Sequence, residues 1–198
     1  MIFGIAGAAM MVDRASYSTD VALAPPQPVP FSHQHHVAGL GLQCLYCHTS
    51  VEKSSFAGIP PTSTCVNCHS QIWSETQMLA PVRASYETGK PIEWSRVHKL
   101  AQYVYFYHNI HVNKGIGCAT CHGRVDQMQL TRKDQPMNMQ WCINCHMNPE
   151  KYIRPRDKIY DMAYQLPAVE QQELGRKLVA EYKVKKPGQL ITCAVCHH

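Results

Sequence analysis

The sequence predicts a mainly α-helical chain with much irregular loop and little or no β-sheet, organised around groups other than its own side chains. Three observations lead there. Cys-x-x-Cys-His occurs five times in 198 residues and uses all ten cysteines. Ordinary core formers are thin, with four Phe and three Trp beside thirteen Pro and eleven Gly. Long runs of helical or alternating periodicity are few, and the clearest helical one lies near the C-terminus.

The motifs are Cys44/Cys47/His48, Cys65/Cys68/His69, Cys118/Cys121/His122, Cys142/Cys145/His146 and Cys193/Cys196/His197. This spacing is the attachment signature of a c-type haem. Two thiols form thioethers to the vinyl groups and the adjacent histidine is held against iron, so all three must reach one porphyrin. Plainer readings fit the pattern less well. A disulfide framework accounts for the even count but not for a histidine after every pair. Zinc sites combine pairs into four-ligand sets, and five pairs leave one over. A thioredoxin-like Cys-x-x-Cys is a single motif beside a βαβ pattern. The expected cofactors are therefore five c-type haems, each with its iron, and the fold class is that of a multihaem cytochrome. Five apolar discs would supply much of the buried surface. Without them the chain is expected to be largely unfolded.

The formal charge of +5 invites nucleic acid or acidic lipid as a partner. Five haems bring about ten propionates against about five ferric charges, so the loaded protein falls near zero when oxidised. Many Lys and Arg are expected to neutralise propionates. "KVKKPG" at 183 to 188 is short and reads as a solvated end. Nucleic acid is excluded on this reading.

Taken in order, residues 1–12, "MIFGIAGAAMMV", read as the end of a membrane anchor or a signal segment, since twelve residues fall short of the ~20 that span a bilayer. Either reading sets the haem domain on the periplasmic, non-cytoplasmic side. Residues 13–30 end in "APPQPVP", a semi-rigid linker. An internal repeat comes next. "FSHQHHVAGLGLQCLYCH" (31–48) and "FYHNIHVNKGIGCATCH" (106–122) share one grammar: aromatic, x, His, x, x, His, Val, a glycine loop, then the motif. A second motif succeeds each. Residues 31–70 and 106–150 are thus two dihaem units, 71–105 a helical connector, and 151–198 a helical segment carrying the fifth motif. In the connector, 71–88 suggest helix interrupted or restarted at Pro81. In 166–184, Leu174, Leu178 and Tyr182 recur at i, i+4, i+8, with Gly188 expected as the stop.

Whether such a chain carries electrons or performs chemistry depends on the sixth iron position, because two strong protein ligands make a low-spin carrier. The repeat nominates four distal ligands: His33 and His36, His108 and His111. In each pair the member farther from the cysteines has chain enough to fold over its own haem, and the nearer serves a neighbour. His35 has no counterpart in the second unit (Ile110) and reads as incidental. The fifth distal ligand has two candidates, Met128 in "GRVDQM" and His98 in "WSRVHKL"; a Met would raise that haem's potential. Met139 reads as haem packing, as do Trp73, Trp94, Trp141 and "YVYFY" at 103–107. His198 stays unassigned. No phosphate loop, carboxylate dyad or Ser-His-Asp set is evident, so no catalytic residue is nominated.

"QPVPFSHQHHVAGLGLQCLYCH", "GIPPTSTCVNCH", "EWSRVHKL…YVYFYHNIHVNKGIGCATCHGRVDQM" and "MQWCINCHMNPE" resemble the pentahaem cytochrome c subunit of alternative complex III, a quinol:electron-acceptor oxidoreductase. The resemblance is close over 26–150 and loose at the final motif. "KLAQYVYF" departs from the Leu-Pro-Asp-aromatic phrase of relatives. The resemblance implies an electron-transfer subunit that passes quinol electrons to a soluble periplasmic acceptor. Its implied partners are an iron–sulfur subunit related to molybdopterin enzymes, quinol-binding membrane subunits and a monohaem cytochrome c. Two rival functions stay open: a cytochrome serving another periplasmic or molybdopterin oxidoreductase, and a multihaem enzyme acting on a small nitrogen or sulfur compound.

Overall fold

The structure, a computed structural model, describes residues 4, 5, 7, 11, 12 and 15–197. Most of the 1–12 segment and His198 lie outside the described residues. Among the described residues no helix is long and apolar enough to cross a membrane.

The elements are short helices joined by loops. In chain order they are α1 (Ser16–Thr19), a π-helical turn (Gln34–Gly39), α2 (Cys44–Cys47), α3 (Thr62–His69), α4 (Ala80–Thr88), α5 (His108–Asn113), α6 (Cys118–His122), α7 (Met139–Met147), α8 (Ala168–Glu181), α9 (Pro187–Leu190) and α10 (Cys193–Cys196). Among the described residues, β-pairing amounts to two isolated bridges, Val21 with Lys133 and Ile116 with Ile153. The chain is mainly helical with much loop, as expected.

Every motif is a helical turn. The residue ahead of the first cysteine is extended at Gln43, Gly117 and Thr192. Helical geometry then starts at the sulfur, and i, i+3 spacing turns both cysteines to one side. Where the second motif of a unit sits, the helix is longer. α7 is capped by Asn138, whose Oδ1 accepts from the Trp141 N–H at 2.9 Å.

The two repeats differ by one residue, since eight positions separate His36 from Cys44 and seven separate His111 from Cys118. The extra residue is absorbed where it falls: the first copy winds as a π-helical turn, the second as α-helix. A single wide turn is how a one-residue insertion enters a helix without shifting the residues beyond it.

The connector is helical over less than its expected span. Residues 71–76 form turns, Gln77–Leu79 a 3₁₀ turn, and α4 carries Pro81 in its first turn, where a missing N–H leaves no intrahelical bond unmade. α8 is amphipathic as the spacing predicts, with Leu178 and Tyr182 buried against Ile153 and Leu174 beside them. Its end is not at Gly188, which lies inside α9. Lys183 takes the left-handed conformation (φ 51°), its N–H bonding the Ala180 carbonyl and that of Val184 the Val179 carbonyl. Both bonds of a Schellman motif are thus present without a glycine.

The core is divided among small clusters. One joins Val29, Leu79 and Val82, packed on Cys65 and Trp94. Another joins Val51, Val112 and Ile159, packed on Cys118. The second draws on both repeat units and on the C-terminal segment, so these stretches of sequence do not keep separate cores.

Candidate metal centres

None of the ten cysteines is joined in a disulfide. Burial pushes the Cys121 thiol up to about 12 and those of Cys118 and Cys145 up to about 11. Zinc–thiolate chemistry wants the opposite shift. Among the described residues no three of His, Cys, Asp and Glu converge to hold an ion by themselves. These three thiols behave as buried apolar groups, in keeping with thioether formation at an apolar ring.

Cys68 and Cys193 are exposed and the other eight cysteines half-buried.

The imidazoles come together in pairs. His33 faces His48 with ring centroids 6.5 Å apart and planes 11° from parallel. In the second unit His108 faces His122 at 6.4 Å and 10°, the same arrangement. His36 stands 6.2 Å from His69 and His111 6.1 Å from His146. These gaps are too wide for ring contact. They match two imidazoles that each reach one shared ion by a bond of about 2.0 Å, which separates their centroids by roughly 6 Å.

The ring nitrogens agree. Nδ1 lies 2.7 to 2.9 Å from a backbone carbonyl oxygen in seven of these rings: His36 on Ser32, His48 on Gly58, His69 on Ile72, His108 on Ser55, His111 on Tyr107, His146 on Leu190 and His197 on Tyr103. A carbonyl can only accept, so Nδ1 carries the proton and Nε2 keeps its lone pair, the ligand form of histidine. His33 Nδ1 meets the Thr131 hydroxyl at 3.0 Å. His122 Nδ1 meets the ring of His98 at 3.2 Å. Burial, aided by neighbouring histidines, lowers His33 to about 4 and His122 to about 3, and burial lowers His36 and His111 as well. All four are neutral near pH 7.

Each repeat's leading aromatic has a clear role. Phe31 stacks on His36 at 4.4 Å and meets His33 edge-on; Phe106 stacks on His111 at 4.3 Å and meets His108 edge-on. One ring thus braces both distal candidates. The glycine loop also follows need: Gly115, at φ 84°, leaves room for Tyr182 and the Arg154 carbonyl, either of which a Cβ would meet at 2.8 Å.

The sites adjoin one another. Tyr46 accepts a bond from Asn67, and Cys65 is the second cause, after burial, of the raised Cys47 thiol. Cys44 has the same part at Cys118, and Cys145 with Cys142 at Cys121. Burial and then Cys196 raise Cys142. Between the units the anchoring is reciprocal: His33 of the first is held by Thr131 of the second, and His108 of the second by Ser55 of the first.

His197 meets the Tyr103 ring at 5.6 Å. Among the described residues no hydrogen bond or ring contact joins it to Met128 or His98. Met128 is 2% exposed, and its carbonyl accepts from the Gln34 N–H. His98 belongs to the surroundings of His122. Sequence reasoning missed Thr131 and Ser55, whose roles follow from chain crossings that no local pattern encodes. His35 stacks on Trp73 at 5.6 Å, with Trp73 in turn 6.3 Å from His69.

No family model matches the chain. The multiheme cytochrome c subunit of menaquinone reductase from Nitratidesulfovibrio vulgaris is 37% identical to it over 143 residues, which cover 62% of this chain and 68% of that one. With paired imidazoles, ten free thiols each placed one turn from its partner, and that degree of identity, the chain belongs to the family of multihaem c-type cytochrome subunits.

Proposed function

We propose that this chain carries five covalently bound c-type haems and relays electrons between a quinone-linked membrane complex and a periplasmic partner. Cys44/Cys47, Cys65/Cys68, Cys118/Cys121, Cys142/Cys145 and Cys193/Cys196 would attach them. Four irons would lie between His33 and His48, His36 and His69, His108 and His122, and His111 and His146, with His197 the ligand from the fifth motif. Haem, when bound, supplies one-electron chemistry at iron. The observation that carries the reading is the four imidazole pairs, 6.1 to 6.5 Å apart. Two strong protein ligands on an iron favour electron carriage over substrate binding.

The neighbours run in the order motif 2, 1, 3, 4, 5. His33 and His36 share one helical turn, which ties sites 1 and 2, and His108 and His111 on α5 tie sites 3 and 4. The Thr131 and Ser55 anchors tie 1 to 3. The Leu190 carbonyl on α9, just ahead of the fifth motif, holds His146 of the fourth. The ends of the row are then the second and fifth motifs.

The resemblance to the pentahaem subunit of alternative complex III favours outward flow, from quinol through this chain to a soluble acceptor, in an assembly with an iron–sulfur subunit, quinol-binding membrane subunits and a monohaem cytochrome. The name of the relative, a menaquinone reductase, favours a second reading in which electrons flow inward to quinone. Stopped-flow absorbance on the native detergent-purified assembly separates them. Rapid haem reduction by a quinol analogue, lost when the membrane subunits are removed, supports the outward reading. Oxidation of the pre-reduced assembly by a quinone analogue, without reduction by quinol, supports the inward one. Neither reaction in an assembly that retains its partners would overturn the quinone link.

A further inference from the structure

His122 differs from the other eight paired or motif histidines in what its Nδ1 meets. Seven meet a backbone carbonyl and His33 a hydroxyl, whereas His122 meets the imidazole of His98, Nδ1 to Nε2 at 3.2 Å. The His98 ring stands 83° from that of His122 with centroids 4.3 Å apart. His98 is half-buried, and its carbonyl accepts from Arg96 Nε at 3.1 Å, which steadies the loop that carries it. On the proposed ligation His122 gives its Nε2 to iron and keeps its proton on Nδ1, so in this contact Nε2 of His98 is the acceptor.

We propose that His98 is a positioning residue for the third motif: by accepting the Nδ1 proton of His122 it fixes that ring's tautomer and makes it a stronger donor to iron than a carbonyl-bound histidine would be. An imidazole nitrogen is a better base than a peptide carbonyl, so the His122 N–H is more strongly polarised. Partners of this kind raise ligand basicity and favour the oxidised metal. The third site's midpoint potential is thereby held below what a backbone acceptor would set. The inference rests on the proposed ligation by His122.

The test is spectroelectrochemical titration of the full haem-loaded chain. His98→Leu removes the acceptor and is expected to raise one haem midpoint, leaving the other four in place. The haem that moves should be the one that turns high-spin in His108→Ala. His98→Gln, whose amide oxygen can accept, is expected to return most of the shift. Unmoved midpoints in His98→Leu, or equal shifts for Leu and Gln, would overturn the proposal. A second measurement needs no substitution. An N–H···N bond transmits a ¹⁵N–¹⁵N scalar coupling that an N–H···O bond cannot, so the reduced, ¹⁵N-histidine-labelled protein should show one between His122 and His98. Its absence, with the His122 Nδ1–H signal resolved, would overturn the proposal. Failure of the ligation itself reads differently, as a His122 ring lacking haem ring-current shifts.

Discussion

A neutral imidazole donates from one nitrogen and accepts at the other, so anchoring Nδ1 decides which nitrogen of His108 is left for a metal. Its Nδ1 is bound to the Ser55 carbonyl at 2.8 Å, and its ring is parallel to that of His122 within 10°. Replacing His108 by Ala removes that ring without touching Cys118 or Cys121. On the proposed loading the expected result is one high-spin haem in the electron paramagnetic resonance spectrum, with the number of haems attached, read by mass, unchanged. An unchanged low-spin spectrum would show that His108 is no ligand. At this scale the sequence was informative wherever chemistry forces spacing, as it does in the five motifs and in the repeated His-x-x-His. It was silent where a ring is anchored by a distant stretch of chain. Thr131 reaches His33 across 98 positions, and His98 sits in a loop without periodicity that could have aimed it at His122.

Among the elements, α8 shows how little slack the scaffold has. It lies so close to the Pro149–Lys151 turn that a Cβ on Gly175 would overlap the Glu150 carbonyl. Alanine at this position would gain up to about 1 kcal/mol of helix propensity. The overlap should outweigh it, because a backbone carbonyl cannot swing aside as a long side chain does, and overpacking costs about 1–3 kcal/mol. Gly175→Ala is expected to lower the melting temperature by several degrees in a thermal scan followed at 222 nm, at roughly 2–4 °C per kcal/mol. A melting temperature unchanged or raised would show that the turn can move. The existence of α8 and its buried face were legible from Leu174, Leu178 and Tyr182. Its end was not: glycine is the residue most at ease at positive φ, yet the left-handed position is Lys183, because Tyr182 is fixed against Ile153 and the turn must come at once.

Seen whole, the protein has scattered apolar clusters and, among the described residues, no sheet to bind them, so the proposed haems are asked to do what a continuous core does elsewhere. The chain produced in a host unable to attach haem is expected to show much weaker far-ultraviolet helix signal than the loaded protein and rapid digestion by trypsin, since ligand binding supplies the folding energy. A protease-resistant, fully helical apo chain would contradict this. The fold class was legible because composition and motif count both say that side chains alone are too few to fill the interior. The proposed row of sites was not, because it depends on the crossing by which each repeat secures a histidine of the other.

That crossing also sets a timetable. A chain made from its N-terminus delivers His33 and His48 long before Thr131, 98 residues behind His33, exists to hold the distal ring. The second unit has no such wait, since Ser55 is already present when His108 appears. On the proposed ligation the first motif would have both of its histidines early, but His33 would be anchored only once the chain has passed residue 131. A product truncated before that residue would keep His33 and His48 and lose the hydroxyl that holds the His33 ring.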